Sequence, residues 1–514
     1  MGEAVAIGTR RWRFHGGLKL RHWKTLSLER TLATCPLPER LVVPVGQQRS
    51  GAPVPCVRPG QLVARGEAIA LPSSPDDVAL HAPAAGTVRQ IAPAPVIGRG
   101  ATEAPCITID VDPDGPDAFL SPITPWATTA PAALRTRIRE AGVAGLGGSL
   151  VPTAGKIDAA GDSAPTLIVN GAECEPYIAC DEAQMLAGPE RVLLGAQIIA
   201  RAVGAAQVIL AIEDERPELA ERLAESAASL GDAAPAIVTV PTVYPEGGEK
   251  QLIRVLTGLE VPGGGTPLDL GLLCLNVGTV AAVHDAVVEG RPLISRVVSV
   301  TGRGFGAPRN LEVAIGTPVA WLAAQAGGYT DAIRRLVMGG PMMGVPLAHD
   351  DVPVTRASNC ILGLIAEDIT PTAPELPCIR CMECVRVCPA QLLPQQLFWH
   401  IRAGSYDQAA NHALADCIEC GCCAQVCPSQ IPLVDYYRHG KTELAAQRVE
   451  QERATVARLR FEARSARLDR QEAARRERLE AKQQKLRSAR DRKAEIAAAV
   501  ARARARKQGN DEDL

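Results

Sequence analysis

CIRCMECVRVCP at residues 378–389 and CIECGCCAQVCP at residues 417–428 share the spacing C-x2-C-x2-C-x3-C-P. In this spacing a short loop wraps three thiolates around one iron–sulfur cubane, and the fourth cysteine reaches a second cubane. The sequence therefore predicts two 4Fe-4S clusters that exchange their fourth ligands. Cluster 1 is held by Cys378, Cys381, Cys384 and Cys427, and cluster 2 is held by Cys417, Cys420, Cys423 and Cys388.

Zinc is the alternative occupant of such motifs, because it also binds C-x2-C pairs. A zinc site needs only four ligands and has no use for the third C-x2-C step or for the proline that follows. Between the two runs, Leu393, Leu397 and Ile401 recur at helical intervals, so we expect the clusters to lie among helices. Cys422 is an extra thiol in the second run, and we interpret it as a small buried residue.

Chain length, cysteine count and the length of the apolar runs limit what kind of protein this can be. A chain of 514 residues should form about three to five domains. Eight of the 16 cysteines are assigned to the clusters, and the chain opens without a signal peptide, so we expect a reducing compartment, the cytoplasm. Apolar runs stay short of the roughly 18 residues that a membrane-spanning helix needs, so we expect a subunit that does not cross a membrane.

Charge is distributed unevenly. Residues 441–508 contain 21 Lys/Arg against 10 Asp/Glu, although the whole chain has a net charge of −2. The body up to residue 440 is therefore acidic and the tail is basic. A long helix and a solvated or disordered segment are both open for the tail. Its charge suits an anionic membrane surface or an acidic partner, whereas nucleic acid is disfavoured because no stacking aromatic residues accompany the cations.

The first 120 residues contain an arm and a small β domain. Residues 1–30 are basic and irregular, and both a solvated arm and a docking segment fit this composition. The text PGQLVARGEAIA (residues 59–70), followed by LHAPAAGTV (residues 80–88), consists of short alternating strands separated by Gly and Pro, which predicts a sandwich or barrel. It resembles the barrel-sandwich hybrid of biotinyl and lipoyl carriers. The tip at Ser73–Asp77 has no carrier lysine, so a structural role is favoured.

From about Trp126 strands and helices alternate. Short apolar runs predict buried strands at residues 166–169, 207–212, 236–240 and 272–277, and helices are expected at residues 190–203 and 217–230. This rhythm predicts a mostly parallel sheet covered on both faces. In such folds ligands bind beyond the carboxyl ends of the strands, and the unusual residues of this region do follow the strands.

The loop GLGGSLVPTAGK at residues 145–156 combines glycines, whose amides can approach a phosphate, with a lysine. It is not a Walker A loop, and a flexible linker is the alternative. The segment NGAECEP at residues 170–176 then places Glu173 and Glu175 two positions apart. In an extended chain this spacing puts both carboxylates on one side.

These motifs, with YPEGGEKQLI, LNVGTVAAVHDAVVEGRPL, MGGPMMG and the twin cysteine runs, resemble the C subunit of the Rnf (Rsx) electron-transport complex over about residues 14–440. The middle domain is more distantly similar to the NADH-binding flavoprotein subunit of respiratory complex I. The resemblance implies that Glu175 faces the nicotinamide nucleotide. The loop residues that it places at the flavin phosphate and dinucleotide are Gly145, Gly147, Gly148 and Lys156. The residues that it places around FMN are Asn170, Glu173, Glu249, Asn276 and Thr279.

The sequence departs from the family in this loop, where the family pattern is G-G-A-G-F-P-T. Here Gly148 is followed by Ser149, Leu150 and Val151. Valine lacks the aromatic face that would stack on the nucleotide, and the larger side chains narrow the approach for a pyrophosphate. A site that serves only structure is therefore an alternative to one that binds FMN and NADH.

The fold class expected is multidomain α/β plus β. It combines a barrel-sandwich hybrid, a Rossmann-like α/β flavin and NADH domain, a β-grasp module that the resemblance identifies as soluble-ligand-binding, an α-helical dicluster ferredoxin domain and a long C-terminal helix. The expected boundaries are 1–30 for the arm, 31–120 for the hybrid, 126–290 for the α/β domain, 291–350 for the β-grasp module, 367–440 for the ferredoxin-type domain and 441–514 for the tail.

The function expected is electron transfer between NADH, through FMN, and the two clusters. The resemblance implies a translocase subunit on the cytoplasmic side of the plasma membrane, with an iron–sulfur subunit among its partners and a ferredoxin-level carrier as an indirect one. Two alternatives remain: a flavin-free iron–sulfur adaptor, and the NADH-oxidising subunit of a soluble hydrogenase or formate dehydrogenase.

Overall fold

The structure is a computed structural model that describes residues 10–46, 52–75, 77–97, 102–161, 164–231, 234–370 and 374–509. Four parts of the sequence predictions lie outside these residues: 1–9 of the arm, Asp76 of the hairpin tip, 371–373 of the linker before the clusters, and 510–514 of the tail. The chain divides into two compact units, residues 1–440 and 441–514.

A two-sheet sandwich follows the arm, as the alternating strands predict. One sheet has the order β2-β8-β7-β4 and the other has the order β3-β5-β6. Alternate side chains of both sheets meet in one core that includes Val43, Ile69 and Ile107. At the hairpin tip, the Ser73 hydroxyl donates to Asp77 at 2.6 Å. The strands are β2 (Arg40–Pro44), β3 (Val54–Pro55), β4 (Leu62–Val63), β5 (Ala68–Leu71), β6 (Leu80–His81), β7 (Gly86–Val96) and β8 (Thr102–Val111).

The middle domain is a four-stranded, wholly parallel sheet with helices on both faces. The strands are β9 (Thr166–Gly171), β10 (Gln207–Glu213), β11 (Ala236–Val240) and β12 (Leu272–Asn276). The helices are α2 (Pro131–Glu140), α3 (Thr153–Ala160), α4 (Cys180–Ala187), α5 (Pro189–Val203), α6 (Pro217–Ala228), α7 (Glu249–Thr257) and α8 (Val277–His284). All four predicted strands are present.

Strand order determines where this sheet can bind a ligand. The order is β11-β10-β9-β12, so the chain moves outward from β9 to β11 and then returns to the other side of β9. Open parallel sheets bind ligands at the point where this direction reverses. That point lies between the carboxyl ends of β9 and β12, where Asn170 and Asn276 are paired in register.

A six-stranded mixed sheet of order β1-β14-β13-β17-β15-β16 comes next. Its elements are β1 (Ala33–Thr34), β13 (Ser295–Thr301), β14 (Arg309–Ala314), α9 (Val319–Gln325), β15 (Ile333–Met338), β16 (Val345–Pro346) and β17 (Cys360–Ile365). The sheet takes in strands from outside the predicted module of residues 291–350. β17 pairs with both β13 and β15, so the module continues past residue 350. β1, which we assigned to the sandwich, pairs with β14 of this sheet.

The cysteine runs lie among short helices, as expected, with no strand in the described residues between 374 and 440. The core of this region includes Leu397, Phe398 and Ile401. The helices are α10 (Glu383–Arg386), α11 (Pro394–Arg402), α12 (Tyr406–Asn411), α13 (Cys422–Gln425) and the start of α14 (Leu433–Gly509).

The tail is the continuation of α14, so the structure favours the helical alternative. Every described side chain from residue 445 to residue 506 is exposed. Ion pairs at i,i+4 run along its surface, including Arg458 with Glu462 and Arg476 with Glu480. Across the described residues, no helix combines the length and the hydropathy that spanning a bilayer would require.

Residues 10–24 of the basic arm are packed against the rest of the chain, and we call them the N-terminal strap; helix α1 (Thr25–Leu28) follows. The Leu18 amide donates to the Tyr244 carbonyl at 2.7 Å, and the Tyr244 amide donates back at 2.9 Å. The Gly17 amide donates to the carbonyl of Val387 at 3.0 Å. The strap therefore joins the α/β domain to the first cysteine run.

Candidate electron-transfer site

The four cysteines predicted for cluster 1 line one cavity. Cys378, Cys381 and Cys384 come from the first run, and Cys427 comes from the end of the second. The crossed fourth ligand that the spacing predicts is thus brought to the other three by the fold. A set of four cysteine sulfurs around one cavity fits a 4Fe-4S cluster.

The four cysteines predicted for cluster 2 line a separate cavity. Cys417, Cys420 and Cys423 belong to the second run, and Cys388 arrives from the first. Cys422 is fully buried and is not among the lining residues of either cavity, which agrees with its interpretation as a packed residue.

The two runs adopt the same backbone turns. Left-handed φ angles occur at Arg380, Met382 and Gln391 in the first run and at Glu419, Gly421 and Gln430 in the second, always at equivalent positions. For residues other than glycine this conformation costs about 1–2 kcal/mol each. Strain that is repeated at matching positions indicates that each loop is held in the shape that turns its cysteines toward a common centre.

Burial raises the pKa of the Cys384 thiol to about 11, with neighbouring cysteines adding to the effect. Thiols must lose their protons to bind iron, so cluster assembly releases protons in this protein.

The glycine-rich loop lies beside Asn276, at the strand-order reversal. A Cβ on Gly147 would lie 3.1 Å from the Cβ of Asn276, and space is open beside Gly148, which has φ +94°. The Leu146 amide donates to the Thr279 hydroxyl at 2.9 Å, while Asn276 caps α8 by accepting from the Gly278 amide at 2.9 Å. These contacts bring Gly145, Gly147, Gly148, Asn276 and Thr279 together at one edge of the sheet.

Three further predicted residues meet at the same edge. Lys156 Nζ donates to the Cys274 carbonyl at 2.8 Å and to Glu249 at 2.5 Å. Asn170 donates to the Gly247 carbonyl at 2.9 Å. The open space beside Gly148 and the Lys156 ammonium together fit a phosphate-bearing ligand such as FMN.

Glu173 and Glu175 engage different partners, because β9 ends at Gly171 and the segment that carries both glutamates is not an extended strand. Glu173 is buried and accepts from the Asp181 and Glu182 amides at the start of α4 and from the Cys180 thiol. Burial, reinforced by Asp181, raises the pKa of Glu173 to about 8. We expected both carboxylates to lie on one side of an extended chain, but among the described residues the two share no hydrogen-bond partner.

Glu175 accepts from the amides of Met342 at 2.7 Å and Met343 at 3.1 Å, in the glycine-rich turn after β15. The resemblance implied that this carboxylate faces a nicotinamide nucleotide. In the structure the Glu175 carboxylate is hydrogen-bonded to the turn of the mixed sheet. A nucleotide would therefore have to share this carboxylate with the turn or displace the turn.

Sequence reasoning missed Tyr244 and Lys24. The Tyr244 hydroxyl donates to the Cys420 carbonyl at 2.6 Å and so ties the α/β domain to the cluster 2 loop. Lys24 is 6% exposed, and its Nζ lies 2.5 Å from Glu213. Burial alone would lower the pKa of Lys24, but Glu213, Glu173 and Glu182 together raise it to about 12. Only its position among other basic residues was visible in the sequence, which suggested solvent exposure.

Four family models match the chain in the order of these domains. They are the RnfC barrel sandwich hybrid domain at residues 12–114, the Nuo51 FMN-binding domain at 138–285, the SLBB domain at 297–346 and the 4Fe-4S dicluster domain at 377–431. These models support FMN and 4Fe-4S clusters as the cofactors.

Three relatives share one name, which describes the C subunit of an ion-translocating oxidoreductase complex. The Pseudomonas aeruginosa protein is 46% identical over 460 residues, which are 89% of this chain and 59% of its own length. The Erwinia tasmaniensis protein is 44% identical over 91% of this chain and 58% of its own. The Cronobacter sakazakii protein is 42% identical over 91% of this chain and 60% of its own. This chain thus spans about three fifths of the length of these relatives.

Among solved structures, an NAD+-reducing nickel–iron hydrogenase in the H2-reduced state aligns with 65% of this chain and 69% of its own, at 18% identity and a TM-score of 0.44.

Proposed function

We propose that this chain, a homologue of the C subunit of ion-translocating oxidoreductase complexes over about nine tenths of its length, passes electrons between NADH and two 4Fe-4S clusters through FMN. The observation that carries this proposal is the gathering of each predicted cysteine set around its own cavity. A domain that matches an FMN-binding model lies in the same compact unit.

Converting between a two-electron hydride donor and one-electron acceptors is the chemistry that FMN supplies when bound. Lys156 and the amides around Gly147 and Gly148 would hold the flavin phosphate. Asn170, Glu173, Glu249, Asn276 and Thr279 would surround the rest. The Tyr244 hydroxyl contacts Cys420, and the N-terminal strap contacts Val387 beside Cys388, so both tie segments that carry cluster 2 ligands to this domain.

The name of the relatives supports a role as a peripheral subunit of a membrane-bound complex. We place the chain on the cytoplasmic side, in contact with other subunits that include an iron–sulfur subunit. A ferredoxin-level carrier would then exchange electrons with the complex indirectly, in a reaction coupled to ion transport.

A second candidate is a flavin-free iron–sulfur adaptor. It is favoured by the loop between Gly148 and Pro152, where Leu150 is held at φ +54° and Val151 is 46% exposed. Leucine at such a position is strained by about 1–2 kcal/mol, and the family pattern has glycine there. The contact of Glu175 with Met342 and Met343 also leaves less room for a nucleotide.

Anaerobic reconstitution separates the two candidates. The full chain is loaded with iron and sulfide, titrated with FMN by fluorescence quenching, and then mixed with NADH. Bleaching of bound flavin followed by a paramagnetic signal from reduced cubanes supports the electron-transfer enzyme. Clusters that dithionite reduces, in a protein that takes up no flavin, would instead assign the adaptor role.

A further inference from the structure

The two cluster cavities have different surroundings. Three of the four cluster 2 cysteines are buried: Cys388 is 8% exposed, Cys420 is 7% exposed and Cys423 is 8% exposed. The loop that carries them contacts the α/β domain through the Tyr244 hydroxyl and the mixed sheet through the Met342 carbonyl, which lies 3.1 Å from where a Cβ on Gly421 would be. Cluster 2 therefore faces the flavin side of the protein.

The cluster 1 cavity, in contrast, is exposed to solvent. All four of its cysteines are partly exposed, and large apolar side chains around it point to solvent. Ile379, 67% exposed, and Met382, 41% exposed, line the cavity itself. Leu376, 56% exposed, is held beside the cavity by the hydrogen bond from its amide to the Ser429 carbonyl, and Trp399 is 46% exposed. We call Leu376, Ile379, Met382 and Trp399 the cluster 1 face.

Composition marks the cluster 1 face as a contact surface. Exposed apolar side chains that include Trp and Met are typical of protein–protein interfaces. Arginine is the charged residue that such interfaces favour, and Arg380 lies over the Trp399 ring with its guanidinium 5.7 Å from the ring centre. Solvated surface residues would not explain four large apolar side chains around one redox cavity.

The charges around the cluster 1 face indicate which kind of partner binds there. Arg380 and Arg402 stack on Trp399 and Phe398, and within the part of the chain that the structure describes neither arginine forms an ion pair. The rest of residues 1–440 carries a net negative charge. An acidic partner is repelled by most of this unit and attracted to the arginines beside cluster 1, which steers encounter and orientation.

We propose that cluster 2 exchanges electrons with the flavin domain and that cluster 1 exchanges them with an acidic one-electron redox protein docked on the cluster 1 face. In the outward direction one electron leaves reduced cluster 1, which becomes oxidised, and one ferric iron of the partner becomes ferrous. No bond forms or breaks, and no proton moves. The proposal rests on the proposed function: the cluster 2 step needs bound flavin, whereas docking on the cluster 1 face needs only the assembled clusters.

Stopped-flow kinetics on the full chain with both clusters assembled test the proposal. The clusters are reduced with titanium(III) citrate, which bypasses NADH and flavin, and are then mixed with oxidised rubredoxin as a small acidic one-electron acceptor. We expect Arg380→Glu and Ile379→Glu each to lower the second-order rate constant by about tenfold or more at low salt. The affinity for oxidised rubredoxin, measured by titration calorimetry, should fall in parallel.

Two control variants match these changes elsewhere on the surface. Leu62→Glu replaces an apolar side chain that is 77% exposed on the sandwich, and Arg222→Glu reverses an exposed charge on α6. Both should keep the wild-type rate constant and affinity. Paramagnetic spectra of the reduced clusters should be the same in all four variants, so a changed rate reports docking.

Cluster order is tested by Cys381→Ser, which removes one cluster 1 ligand. The cluster 2 signal should persist while transfer to rubredoxin is lost. If Cys381→Ser still reduced rubredoxin at the wild-type rate, the proposed order of the two clusters would be wrong. If Arg380→Glu and Ile379→Glu both kept the wild-type rate constant, the proposed docking face would be wrong. A basic acceptor, cytochrome c, that reacts as fast as rubredoxin with the same salt dependence would also overturn the charge argument. If the proposed function itself fails at its iron–sulfur step, the cubane signal is missing before mixing.

Discussion

Replacing Gly16 with alanine tests whether the N-terminal strap fixes the cluster 2 loop on the α/β domain. Gly16 has φ +71°, and a Cβ there would lie 2.5 Å from both the carbonyl carbon and the carbonyl oxygen of Val387. These are backbone atoms next to Cys388, so they cannot rotate away. The left-handed conformation costs alanine about 1–2 kcal/mol, and overpacking adds about 1–3 kcal/mol.

The expected loss is therefore about 2–5 kcal/mol, which corresponds to strap opening that is more frequent by about 30-fold or more. Hydrogen exchange measures this opening at the Gly17, Leu18 and Tyr244 amides, which bond across the strap. A weaker strap should also slow the reduction of cluster 2 by the flavin domain.

Gly404→Ala is the matched control. Gly404 has a nearly equal φ of +69°, but nothing lies within 4 Å of its Cβ position, so alanine there adds backbone strain without a clash. It should leave exchange at the strap amides unchanged. Equal exchange in Gly16→Ala and in the wild-type protein would refute the idea that the strap is held by close approach to Val387.

Three further predictions concern the loop and the buried carboxylate. Leu150→Gly should raise thermal stability by about 1 kcal/mol, because it removes left-handed strain, and it should tighten FMN binding in a fluorescence titration; weaker binding would contradict a loop that cradles phosphate. Lys156→Met should weaken FMN binding by about tenfold or more, because it removes a cation at the phosphate. The control Lys250→Met removes a cation that donates to the Pro262 carbonyl, and it should leave the FMN titration unchanged. Glu173 has a folded-state pKa of about 8, above its ordinary value, so the folded protein binds this proton more tightly than the unfolded chain and stability falls as pH rises from about 5 to 8. Glu173→Gln should flatten that slope in thermal melts across this range, and an unchanged slope would assign the pH dependence to other groups.

Much of the fold followed from local patterns. All four strands of the middle domain were predicted from short apolar runs. β9, β10 and β12 are largely buried, as strands covered on both faces are, whereas β11 is buried only at Val240. Leu167 and Val169 of β9 pack on one face of the sheet, and Ile168 between them packs on the other. The resemblance to the C subunit of the Rnf complex, drawn from the motifs, is confirmed by the relatives and by the domain models.

Other features were hidden because they depend on residues far apart in the sequence. β17 completes the mixed sheet by pairing with β13, about 60 residues away, and the predicted boundary at 350 missed it. Lys24 was visible only as one of several basic residues in an arm that fitted both solvation and docking, whereas its buried partner Glu213 lies 189 positions along the chain. Charge composition reports the average surface and says nothing about a single buried pair.

The sequence by itself determined the two cysteine sets, since a turn of a few residues fixes which sulfurs can reach one centre. It also determined that the middle domain is a layered parallel sheet, since short apolar runs that alternate with helices are typical of strands covered on both faces. Only the tertiary structure decided the strand order that puts Asn170 beside Asn276, the partner of Glu175 and the path of the strap. Each of these arises from contacts between segments that no local spacing relates, so the packed chain alone fixes them.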